Sequence, residues 1–161
     1  MAWGKNATNT LGSSGDALDL TLITAQKFNQ ILIHEVATGG DINTQITLNN
    51  NGNSVYTRRQ SGDGGADYTA TSEALWTISG TGVGNVEFHV MYLVSISGEE
   101  KLLISFLVDA NTAGAGNITG RKEFVGKFVP SPDADITRID DNNSGAGSFD
   151  TSSNITALGT D

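Results

Sequence analysis

The residues able to do chemistry in this chain are few and scattered. His34 and His89 are its two imidazoles, and Glu87, Glu99, Glu100 and Glu123 are its glutamates in or beside the later apolar segments. Two imidazoles and a carboxylate suit Zn²⁺. Here no third ligand sits at a motif spacing, so His34 reads as a polar residue on a strand face and His89 as one of a cross-strand pair with Asp109. A glycosidase needs two carboxylates facing a cleft, and nothing in the spacing pairs these; Glu99-Glu100 reads as the cap of a hairpin. No GxSxG elbow occurs, and the serines fall in turn-forming stretches. The glycine-rich Gly80–Asn85 lacks the lysine and following helix of a phosphate loop. The chain is therefore read as no enzyme, with no catalytic residues and no metal ligands.

Oxygen donors are more plentiful than bases. Asp63 and Asp67, with Tyr68, form a candidate ligand loop in QSGDGGAD, and Asp133, Asp135, Asp140 and Asp141 cluster later. Ca²⁺ takes such donors, but the first loop lacks the later glutamate of an EF-hand. Solvated turns are the simpler reading, so Ca²⁺ is the one ion considered and no cofactor is expected. Trp3, Tyr56, Tyr68 and Trp76 are the aromatics a sugar-binding face would use; ordinary packing of Tyr56 and Trp76 competes with that. Asn6, Asn117, Asn142 and Asn154 open Asn-x-Ser/Thr triplets, which this composition supplies by chance.

The element that must position these groups is NVEFHVMYLVSISGEEKLLISFLVD, Asn85 to Asp109. Val86, Phe88, Val90, Tyr92, Val94 and Ile96 alternate, as do Leu102, Ile104, Phe106 and Val108, the mark of strands with one buried face. An odd loop at Gly98-Glu99-Glu100 pairs Ile96 with Leu102, Val94 with Ile104 and Tyr92 with Phe106, which puts both apolar sets on one face. The opposite face carries Met91, Leu93, Leu103 and Leu107. It is too apolar for plain solvent surface, so these four, with Trp3, are the candidate interface, covered by the fold or by a second subunit.

The rest of the chain is read the same way. Its 161 residues suffice for one domain with a core. Charged residues are only 17% and glycines number 20, the usage of many short strands joined by polar turns. Residues 1–15 read as a polar N-terminal arm, and 16–161 as a single antiparallel two-sheet β-sandwich of nine or ten strands, a jelly roll being the economical form. Strands are expected over Ala17–Thr24, Phe28–Val36, Ile42–Leu48, Ser54–Arg59, Tyr68–Gly80 (one or two), Arg121–Val129, Ile136–Ile139 and Ser148–Leu158. Long loops are expected at Asn111–Gly120 and Asp140–Gly147. A net charge of −9 with scattered basic residues excludes phosphate-directed nucleic-acid binding. Cysteine is absent, so no disulfide or thiolate site exists. No signal peptide or membrane span is read, so no membrane partner is expected.

Three stretches carry a resemblance: NNNGNSVYTRR at Asn49–Arg59, Ile136-Thr137-Arg138-Ile139 with the polar loop after it, and GSFDTSSNITALG at Gly147–Gly159. Together they resemble small jelly-roll virion proteins and appendage domains of tailed phages and marine viruses. Where that family closes with an aromatic before its last glycine, this chain has Leu158-Gly159. The resemblance implies a viral structural protein, a capsid decoration or cement, spike or tail-appendage subunit. It would be made in the host cytoplasm and self-associate beside a major capsid or tail protein. The alternative is a carbohydrate- or receptor-binding module.

Overall fold

Alternation of apolar and polar residues becomes twelve strands and no helix among the described residues. The structure, a computed structural model, describes residues 2–110, 112 and 114–161; Met1 of the arm and Asn111 and Ala113 of the loop before Gly120 lie outside the described residues. The strands are β1 (Gly4–Thr10), β2 (Phe28–Thr38), β3 (Thr44–Leu48), β4 (Tyr56–Gly62), β5 (Tyr68–Glu73), β6 (Trp76–Thr77), β7 (Val86–Val94), β8 (Lys101–Asp109), β9 (Gly120–Phe128), β10 (Ile139–Asn143), β11 (Ser148–Phe149) and β12 (Asn154–Thr160).

One antiparallel sheet of nine strands runs β1-β12-β2-β7-β8-β9-β4-β5, with β11 pairing the end of β2; the other holds three, β10-β3-β6. What holds is the coarser expectation, an all-β antiparallel sandwich. The polar arm is laid along β12 as the edge strand β1. The segment expected as a strand over Ala17–Thr24 makes only single bridges, Ala17 to Asn142 and Leu20 to Ile139. It buries Leu18, Leu20 and Ile23 but leaves Leu22 exposed, so its alternation breaks there. The first half of the loop expected over Asp140–Gly147 is instead β10, whose Asp140 and Asp141 are buried, while of the strand expected over Ile136–Ile139 only Ile139 belongs to it.

Between the sheets, Ile31 and Ile33 of β2, Met91 and Leu93 of β7 and Leu103 of β8 meet Ile46 and Leu48 of β3 and Ile139 of β10. At one end Tyr56, Trp76, Phe124 and Phe128 form the aromatic part of the core. Tyr56 stacks on Phe128 with centroids 4.8 Å apart and meets the edge of Trp76 at 5.1 Å. Its hydroxyl donates to Asn51 O at 2.9 Å and accepts from Leu48 N at 2.9 Å, while Trp76 Nε1 donates to Thr57 O. Burial pushes the Tyr56 phenol up to about 12, so it stays a neutral hydrogen-bonding group.

The β7–β8 hairpin differs from expectation in register and in sidedness. Val94 pairs with Leu102, Tyr92 with Ile104 and Val90 with Phe106, so the loop is odd as expected but the pairing is displaced by two residues. His89 therefore faces Leu107, and Glu87 faces Asp109. The reason is a wider turn. Buried Lys101 reaches back into it, its Nζ donating to Ile96 O at 2.7 Å, Glu99 O at 2.9 Å and Asp133 Oδ1 at 2.7 Å. Both apolar sets do share a face, but that face looks outward. Met91, Leu93, Leu103 and Leu107, expected as an interface, are buried inside the chain's own sandwich. Burial of these four by the small sheet and its flanking segments removes them as a contact surface.

The Lys101–Asp133 tie makes a pH prediction. The Lys101 ammonium, then the Gly98 N–H, hold the Asp133 carboxyl below its usual range. A depressed folded value contributes stability above the unfolded value near 3.9, lost as pH falls through the folded one. Asp133→Asn is therefore expected to lower the urea midpoint at pH 6, with the gap to the parent protein closing on acidification below about pH 4. A gap that stays constant from pH 6 to 3 would refute the tie.

Candidate functional site

Alternation along β7 and β8 places two unlike surfaces on either side of the large sheet. The outer side carries Val86, Phe88, Val90, Tyr92 and Val94 from β7 and Leu102, Ile104, Phe106 and Val108 from β8, with no charged residue among them. Leu32 and Val36 of β2 and Val125 of β9 widen this face. Ile104 is 48% exposed and Phe106 51%, although each belongs to an interior strand of the sheet. Soluble monomers rarely leave so continuous an apolar patch facing water. Charge begins only toward the β4–β5 edge. There the face dips into a trough of about 630 Å³, floored by Leu102, Ile104, Val125 and Gly126 and flanked by Arg59 and Lys127. Both signs are present on this rim: Lys127 meets Glu100 at 3.0 Å, Arg59 meets Asp67 at 3.6 Å and Arg121 meets Glu123 at 3.6 Å.

The inner side of the same strands carries acid–base groups. Glu35 of β2 lies directly across from Glu87 of β7, which lies across from Asp109 of β8, a row of three inward carboxylates. Gly120 of β9 ends the row because any Cβ there would strike the Asp109 carboxylate. His89 is next along β7, its Nε2 3.2 Å from Glu87 Oε2 and 3.7 Å from Glu35 Oε2. The small sheet answers with Thr44, whose Oγ1 donates to Glu35 Oε2 at 2.6 Å, and with Asp141 of β10, and the segment after β6 adds Ser79, which donates to Glu87 Oε2. Glu35, Glu87, His89 and Asp141 are all fully buried.

Burial opposes charge on His89, yet Glu35 and Glu87 outweigh it and hold the imidazole up to about 9. Burial pushes Glu87 upward too, but hydrogen bonds from His89 and Ser79 and the charge of Lys122 bring it below the usual carboxylate range. Asp141, buried and pressed by Glu35, Asp19 and Glu87, is raised well above it.

The residues singled out in the sequence are mostly dispersed. His34 is on the outer side of β2 and His89 on the inner side of β7, so they share no site. Asp63 Oδ1 accepts from Arg121 N at 2.9 Å and Asp67 faces Arg59, while Tyr68 lies under the Arg58 guanidinium, 5.0 Å away. Asp133 is taken by Lys101 and Asp140 by Arg138. Of the four aromatics proposed for a sugar face, Tyr56 and Trp76 are core, and only Trp3 and Tyr68 are exposed. Glu35 and Thr44 were not singled out. Glu35 did have a signal, a lone acid at an alternate position inside the apolar run FNQILIHEV.

Comparison with known protein families, with curated proteins and with solved structures finds no match, so no residue role is carried over from a relative.

Proposed function

We propose that this chain is a non-enzymatic structural subunit that self-associates through the outer face of its large sheet, in the role of a capsid decoration, spike or tail-appendage protein of a virus particle. The observation that carries the self-association is the uncharged outer surface of β7 and β8, with Phe106 and Ile104 about half exposed on interior strands. A second copy is the occupant that suits it. Two such faces can stack as sheets about 10 Å apart. With the two-fold axis lying across the strands, this rim would meet its own copy, and because it holds both signs, unlike charges can meet. The virion role rests on the resemblance of Asn49–Arg59, Ile136–Ile139 and Gly147–Gly159, and it would supply a major capsid or tail protein as the further partner.

A non-enzymatic role is supported by the burial of Glu35, Glu87 and His89, which puts the fold's assembled acid–base groups beyond the reach of a substrate. The carbohydrate-binding alternative loses Tyr56 and Trp76 to the core and is the weaker reading.

Size-exclusion chromatography with light scattering tests the proposal. A dimer or higher oligomer is expected at micromolar concentration, little affected by salt because the contact is apolar. A strictly monomeric species at 100 µM, roughly a hundredfold above a micromolar dissociation constant, would overturn it.

A further inference from the structure

A carboxylate taken out of water needs a counter-charge, a proton or a metal. The pocket between the sheets holds three buried carboxylates, Glu35, Glu87 and Asp141, against one imidazole, His89. Glu35 and Glu87 sit directly opposite each other on adjacent strands, where like charges repel. Thr44 and Ser79 hydroxyls satisfy one oxygen of each. That leaves Oε1 of Glu87 and Nδ1 of His89 without a hydrogen-bond partner, and Asp141 with only another acid, Glu35, to share a proton with. Unsatisfied acids and an unsatisfied imidazole nitrogen gathered in one buried pocket call for a specific explanation. His89 faces two glutamates at once, and among the described residues the only further positive charge acting there is that of Lys122 on Glu87.

We propose that this cluster is a structural divalent-metal site between the two sheets, with Glu35, Glu87 and His89 as ligands and Zn²⁺ as the ion. Glu35, Glu87 and His89 each offer a ligand atom within 4.8 Å of the others. The separations from His89 Nε2, 3.2 Å to Glu87 and 3.7 Å to Glu35, bracket the edge of about 3.4 Å in a tetrahedron with bonds near 2.1 Å. The imidazole selects the metal class, since Ca²⁺ and Mg²⁺ prefer oxygen alone whereas nitrogen with carboxylate suits Zn²⁺. Thr44 and Ser79 act as the outer shell that orients the ligating carboxylates. The ligands come from β2 and β7 of the large sheet, and Thr44 of β3 holds Glu35 from the small sheet, so the ion would sit between the sheets where apolar packing is interrupted.

Full burial means that the ion loads during folding, so the full chain should be unfolded in guanidinium with chelator, then refolded with Zn²⁺, Mn²⁺, Ca²⁺ or chelator alone. About one Zn²⁺ per chain by elemental analysis is expected, with a melting temperature raised by roughly 10 °C over the chelator arm. Glu87→Gln, nearly isosteric, should lose Zn²⁺ affinity by about 100-fold, while His34→Asn should retain it. If Glu87→Gln fails to fold, Co²⁺ refolded into the parent chain should give the intense visible bands of a tetrahedral site. No metal uptake and no thermal shift would overturn the site. So would uptake surviving in Glu87→Gln, loss in His34→Asn, or a shift with Ca²⁺ and not Zn²⁺.

Discussion

Leu103→Asp is expected to unfold this protein, whereas Ile104→Asp, one position along the same strand, should leave it folded and abolish its self-association. Leu103 is 3% exposed and faces the small sheet; Ile104 is 48% exposed and faces outward. An unpaired carboxylate in place of Leu103 combines a lost apolar contact with a buried charge, beyond about 5 kcal/mol, comparable with the whole stability of an ordinary domain. At Ile104 the same group stays hydrated and costs the monomer about 1 kcal/mol in strand preference. In a two-fold interface it enters twice. At about 2 kcal/mol per buried apolar anchor, the dimer weakens roughly a thousandfold before repulsion between the two carboxylates is counted. Circular dichroism and sedimentation velocity on both variants give the answer. A folded Leu103→Asp would mean that the sheet's sides are assigned backwards. An Ile104→Asp protein that associates like its parent would remove the outer face from the interaction.

That pair of neighbours also shows what the sequence could and could not convey. Period two along Val86–Val94 and Leu102–Val108 was legible, and so was the odd loop that puts both sets on one side. Which side faced inward was not, because the usual guide, apolar within and polar without, runs in reverse here. The inner face of β7 and β8 carries Glu87, His89, Lys101, Ser105 and Asp109 among its leucines, while the outer face is uniformly apolar. A chain built to bury only its own surface would have the opposite distribution. The proposed self-association would account for the outer half of this inversion, and the proposed cation for much of the inner half.

The acidic cluster was hidden for a related reason. Its members lie in three separated segments: Glu35 in the second strand, Glu87 and His89 in the seventh, Asp141 in a stretch that reads as a polar loop. DDNNSGAG has the composition of a turn, and only pairing of Asp141 with Ile46 makes it a strand with one acid facing in. Cross-strand proximity follows from topology, not spacing, so no motif records it. His89 was legible as one of a cross-strand acid pair, but its partners are Glu87 on its own strand and Glu35 on the neighbour, because the register is displaced by two.

The aromatic end of the sandwich gives the second large effect. Trp76 is fully buried in the two-residue strand β6, so its side chain contributes far more than its backbone pairing. Trp76→Ala should cost about 3–5 kcal/mol through lost contacts and the cavity left behind. Its fit depends on Gly126 of β9, where an added Cβ would lie 2.8 Å from the indole Cε2 and 2.8 Å from Phe124 Cε1. Neither ring can retreat easily, since Trp76 is pinned by its bond to Thr57 O and packs edge-on to Phe124 at 6.0 Å. Gly126→Ala should therefore destabilise by about 1–3 kcal/mol through overpacking. Trp76→Ala removes the indole atoms that the new methyl strikes, so the double variant Trp76→Ala/Gly126→Ala should be more stable than the two single losses predict, by on the order of 1 kcal/mol. Strict additivity in guanidinium unfolding, or a Gly126→Ala protein as stable as its parent, would show that the glycine is not there to admit the indole.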